Sequence, residues 1–149
     1  MKKNLIYVAP LVALILGGVL TGCLKTKENT PAPVPSGKFG GQFRVIRKKA
    51  TGPGFDTIIR TTTFKLNMKA DSGYKVVGDT TKHAGSHGTY SNNDYYIQFN
   101  DVTYSETDTS KKKHLVGVYR FYYDGDILQM VRSYSDTLSY QYDLKKTAN

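Results

Sequence analysis

Tryptophan is absent from this 149-residue chain, cysteine occurs once and histidine three times. A single cysteine excludes an internal disulfide and any thiolate metal cluster, so neither can hold the fold together. Long apolar runs are nearly absent too. The one such run, Leu5 to Leu20, is about 16 residues, short of the roughly 20 that cross a bilayer as a straight helix. No segment repeats apolar residues at the three-and-four spacing of an amphipathic helix. Acidic residues are outnumbered, 12 against 21 basic ones, for a formal charge of +9. There is no Gly-x-Ser-x-Gly, no His-Glu-x-x-His and no phosphate-cradling glycine loop, the usual signatures of hydrolases, zinc proteases and nucleotide enzymes.

What the chain does have begins at its first residues. Lys2 and Lys3 give a positive start, the apolar run follows, and Leu20-Thr21-Gly22-Cys23 closes it. This three-part pattern is that of an export signal, which is removed and contributes nothing to the fold. Pro10, Gly17 and Gly18 weaken any permanent helix there. The closing tetrad resembles the lipobox of bacterial lipoproteins: an aliphatic residue, two small residues, then cysteine. The resemblance implies cleavage between Gly22 and Cys23, diacylglycerol on the Cys23 sulfur and acylation of the new amino terminus. Several acyl chains anchor a protein stably where one holds only marginally. The expected organisation is a signal peptide over residues 1–22, lipidated Cys23 with a tether to residue 37, and a domain over residues 38–149.

Removing the signal leaves 19 of the 21 basic side chains against 12 acidic ones, a formal +7. An exported basic protein meets anionic headgroups, polysaccharide or acidic envelope partners. Nucleic acid is not expected as a partner, since no recognition motif is present. Leu24-Lys-Thr-Lys-Glu-Asn-Thr-Pro-Ala-Pro-Val-Pro-Ser-Gly37 offers almost nothing to bury and carries prolines at positions 31, 33 and 35. It reads as an extended spacer, reaching about 40 Å at roughly 3.1 Å per residue.

Beyond the spacer the apolar period becomes two. Alternation runs through residues 39–48, 57–69, 74–79, 88–91, 95–99, 115–123, 127–134 and 138–144, the mark of strands with one buried face. Asn92-Asn93 and Asp124-Gly125 are hairpin signals, the second the strongest in the chain. About eight strands joined in sequence predict an all-β antiparallel up-and-down meander, closed as a barrel or, alternatively, folded into a two-sheet sandwich. A lipobox, a proline-bearing tether and such a meander are together similar to the lipocalin-like small lipoproteins of bacteria. Gly37-Lys38-Phe39 stands where lipocalins carry Gly-x-Trp, with phenylalanine replacing the tryptophan, and their later loop motif has no counterpart. The resemblance covers residues 37–146 and implies a barrel whose open end takes a small, largely apolar molecule.

Candidate chemistry is sparse. His83 and His87 flank Ala84-Gly85-Ser86; the glycines make this a loop, and no carboxylate or thiolate adjoins it to complete a metal site. His114 follows Lys111, Lys112 and Lys113, which read as a solvated loop. Asp124 and Asp126 flank a hairpin glycine and read as turn formers. Two arginines stand out on apolar faces: Arg60 with Ile58, Phe64 and Leu66, and Arg132 with Leu128, Met130 and Tyr134. A buried guanidinium needs a partner, and inside a barrel that partner could be a ligand carboxylate, with Tyr140 or Tyr142 adding a hydroxyl. The expected function is a non-catalytic, cofactor-free binding module for a small apolar or amphiphilic ligand. It would be exported and lipid-anchored through Cys23, in the outer membrane if the cell has one, as Leu24 rather than aspartate follows the cysteine. The alternative is a solid barrel whose surface engages another envelope protein.

Overall fold

The computed structural model describes residues 33–148; the expected signal peptide, Cys23 and most of the tether lie outside the described residues. The fold is all-β, with eight strands: β1 (Gly37–Lys48), β2 (Phe55–Lys69), β3 (Gly73–Gly78), β4 (His87–Asn92), β5 (Tyr96–Asp101), β6 (Gly117–Tyr123), β7 (Ile127–Ser133) and β8 (Leu138–Lys146). Each pairs antiparallel with the next, and β8 returns to β1 from Phe39↔Lys146 to Arg47↔Leu138, so the meander closes into a barrel rather than a sandwich. Closure removes the free edges that an open meander would offer for aggregation.

The turns form for local reasons. Asp124 Oδ1 accepts the N–H groups of Asp126 and Ile127 at 2.9 and 2.7 Å. Asn93 Oδ1 does the same for Tyr95 and Tyr96 at 2.9 and 2.8 Å. Such short polar side chains replace the backbone partners a turn leaves out. These turns, with the one at residues 70–72, sit at the end where the described chain enters. There Pro35, which the composition assigns to the tether, is buried, and the Tyr90 hydroxyl donates to its carbonyl at 2.7 Å.

The opposite end carries the longer connections. The β3–β4 ladder is only two residue pairs long, and the segments flanking it supply what it lacks. Val76 N–H donates to the Ser86 carbonyl at 2.8 Å, Ala84 N–H to Lys113 at 2.9 Å, and Lys113 N–H to Lys82 at 3.1 Å. The Ser86 hydroxyl accepts the Leu115 N–H at 3.0 Å, and the Tyr74 hydroxyl donates to the Leu115 carbonyl at 2.6 Å. The β3–β4 and β5–β6 connections are thereby sewn together across the mouth.

Side chains occupy the interior. Phe43 and Tyr142 have ring centroids 4.8 Å apart, and His83 lies 4.9 Å from both Phe43 and Phe64. A second tier holds Tyr74 against Phe99 at 4.8 Å and Phe99 against Tyr119 at 5.8 Å. Phe39, Leu66, Met68, Leu128 and Leu144 fill the turn end. Side chains of this size contribute about 1.5–3 kcal/mol each when fully buried, so an aromatic-rich axis supplies the stability that disulfides do not.

Candidate functional site

The four side chains expected to gather around a ligand are not gathered. Arg60 is exposed on the outer wall, because β2 is bulged. Between the pairs Gly41↔Phe64 and Phe43↔Thr61, β1 advances two residues and β2 three. Phe64, Leu66 and Met68 face inward on even positions, but across the bulge Thr61 takes over on odd ones. Arg60 therefore shares no face with Phe64, and it stands opposite Arg44 on the outside.

Tyr142 faces inward but is entirely enclosed, and its hydroxyl meets His83 Nε2 at 2.9 Å. His83 Nδ1 lies 2.7 Å from the Ala84 carbonyl, which can only accept. His83 thus carries its proton on Nδ1, and Nε2 accepts from Tyr142. Burial pushes the imidazole pKa down to about 4, outweighing the Ala84 hydrogen bond. Burial likewise raises the Tyr142 phenol well above its ordinary value. This pair is the keystone of the interior rather than a ligand site, and no local pattern in the sequence marks it.

Arg132 and Tyr140 do come together, at the mouth. They are direct partners across β7 and β8, and with Tyr104, Lys112, Lys113 and Tyr134 they line a groove of about 350 Å³. The guanidinium stacks on Tyr134, 4.3 Å above the ring centroid, and Tyr134 leans on Tyr140 at 4.6 Å. Its Nη1 donates to the Val116 carbonyl. Gly117, with φ at +86°, leaves the space it occupies: a β-carbon there would collide with Nη1. Such a φ is open to glycine and strained for other residues.

His114 closes the floor of the mouth. Its Nδ1 meets Asp101 at 2.8 Å and its Nε2 meets Asp108 at 3.2 Å. Burial alone would raise the Asp101 carboxyl, but hydrogen bonds from Thr103, Ser86 and His114 hold it below the usual range. Ser110 and His114 hold Asp108 low in the same way. Both imidazole nitrogens are engaged, and among the described residues no group of three or more His, Cys, Asp or Glu side chains is arranged to hold a metal ion.

The outer wall is the other feature of note. The register aligns Tyr96, Arg120, Val131, Gln141, Arg44 and Arg60 in one row around β5, β6, β7, β8, β1 and β2. Arg44 pairs with Asp143, whose side chain also accepts from Gln129. Tyr95, Tyr96 and Tyr122 are 67%, 50% and 56% exposed, and a concavity of about 350 Å³ lies between Arg120, Tyr122, Gln129 and Gln141. No protein-family model, curated protein or solved structure matches the chain.

Proposed function

We propose that this chain is an exported, lipid-anchored and non-catalytic interaction module, whose solid barrel meets another component of the cell envelope through its outer wall. The observation that carries this reading is the filled interior. Phe43, Phe64, His83, Tyr119 and Tyr142 occupy the axis where a lipocalin-like barrel would hold its ligand, which favours the solid-barrel alternative over a ligand-filled one. The row of Arg44, Arg60 and Arg120 with exposed tyrosines supports it, since tyrosine and arginine dominate the energetics of protein contacts. Arg44 is already paired with Asp143, whereas Arg60 opposite it has no carboxylate within 4.0 Å among the described residues and is open to an acidic partner.

The anchor belongs to the same proposal and rests on Leu20-Thr21-Gly22-Cys23. Photo-crosslinking in the native cell tests the whole. A photoreactive residue at Tyr96 or Tyr122 of the full chain is expected to trap one defined envelope component, and the same residue at Ser72, in the β2–β3 turn, is not. Capture of bulk lipid and abundant proteins alike from all three positions would contradict the reading.

A further inference from the structure

Arg132 is a half-buried cation with a prepared seat and no counter-ion. Among the described residues no carboxylate oxygen lies within 4.0 Å of its guanidinium, although Arg44, His114 and Lys145 all have one. Among the described residues its Nη1 donates to the Val116 carbonyl and the buried Tyr119 hydroxyl lies beside it, which leaves N–H groups of the five-donor fork free for another acceptor. No carboxylate lines the groove: Asp101 and Asp108 meet its wall only through His114, to which both are committed, while the remaining charges lining it are Lys112 and Lys113. A cation removed from water is costly unless paired. The stack on Tyr134 and the slot over Gly117 hold the guanidinium in place without neutralising it.

We propose that the mouth groove binds small oxyanions, carboxylate or phosphate, carried on a flat or apolar body. The guanidinium fork matches the two oxygens of such a group. Lys112 and Lys113 add positive potential, and the paired rings of Tyr134 and Tyr140 give the body of the ligand a surface to stack on. Burial raises the pKa of both tyrosines, so their hydroxyls stay protonated and able to donate to an anion. The groove's volume of about 350 Å³ lies in the range of small-molecule sites, roughly 300–1,000 Å³. This site lies at the mouth and does not rest on the outer-wall contact proposed above, so either can fail without the other.

Fluorine NMR of the full chain in neutral detergent micelles tests it, with 4-fluorobenzoate and 4-fluorophenyl phosphate as probes and 4-fluorobenzamide as the uncharged control. Both anions are expected to bind saturably, and the amide at least about tenfold more weakly. Arg132→Gln should cost at least about tenfold in affinity for the anions, while Lys69→Gln, exposed at the turn end of β2, should leave it unchanged. Adding phosphatidylglycerol to the micelles separates the sources: displacement of the probes identifies a lipid headgroup as the oxyanion, and no displacement a free solute. Amide binding equal to that of benzoate, or unchanged anion binding in Arg132→Gln, would overturn the proposal. If Arg132→Gln loses its near-ultraviolet circular dichroism, the paired variant Lys112→Gln/Lys113→Gln decides, with a several-fold loss expected and an unchanged affinity contradicting it.

Discussion

His83 shows how far a single side chain's role depends on contacts distant in sequence. Its ring is fully buried and its partner Tyr142 is 59 residues away. From the sequence it is a loop histidine beside glycines, because nothing local records that the loop folds inward over the mouth. The consequence is a pH dependence with a definite sign. A histidine kept neutral at a pKa of about 4, against the ordinary 6.5, leaves the unfolded chain binding more protons between those values. Stability is then fully present above pH 6.5 and is lost as pH falls toward 4, by up to about 3 kcal/mol. The lowered carboxyls of Asp101 and Asp108 lose their contributions only below the ordinary carboxylate pKa, so the two windows separate. Urea unfolding between pH 7 and 4 should show this slope in the native chain and lose it in His83→Gln; an equal slope in both would contradict the assignment. At the same scale, Tyr142→Phe leaves His83 Nε2 buried without its donor and should cost about 1–3 kcal/mol.

At the level of strands, the period of two located every element and the Asp124-Gly125 hairpin, since alternation and turn chemistry are local. The faces are another matter. A bulge adds one residue to β2 and reverses which parity points inward, so Arg60 follows Ile58 and Phe64 in the sequence pattern yet faces solvent. The pattern held for Arg132 and Tyr140 because the β7–β8 ladder has no register shift. Their neighbours Tyr104, Lys112 and Gly117 were not legible as a group, because the path of the connection between β5 and β6 brings them together. Arg60→Ala should therefore change stability by no more than about 0.5 kcal/mol; a loss of several kcal/mol in urea unfolding would mean that Arg60 has a buried role. Gly41, where β1 meets β8, is the contrary case. A β-carbon there would collide with the Asp143 carbonyl, and Gly41→Ala should cost about 1–3 kcal/mol.

At the scale of the whole molecule, the barrel has two unlike ends. The described chain enters beside the short turns, with Pro35 buried there, and the groove around Arg132 opens at the other end. On the proposed lipidation of Cys23, Cys23→Ala is expected to move the protein out of the membrane fraction and to abolish labelling by a palmitate analogue; retention of both would rule that anchor out. The central claim is that the barrel is solid and works from its surface. Methyl NMR of the interior, read at Leu66, Met68, Ile97, Leu128 and Met130 while palmitate is titrated in, tests it most directly. In a solid barrel these five residues keep their chemical shifts throughout, with any response confined to the mouth. A saturable one-to-one shift across all five would show that the barrel opens to hold a ligand, and would contradict it.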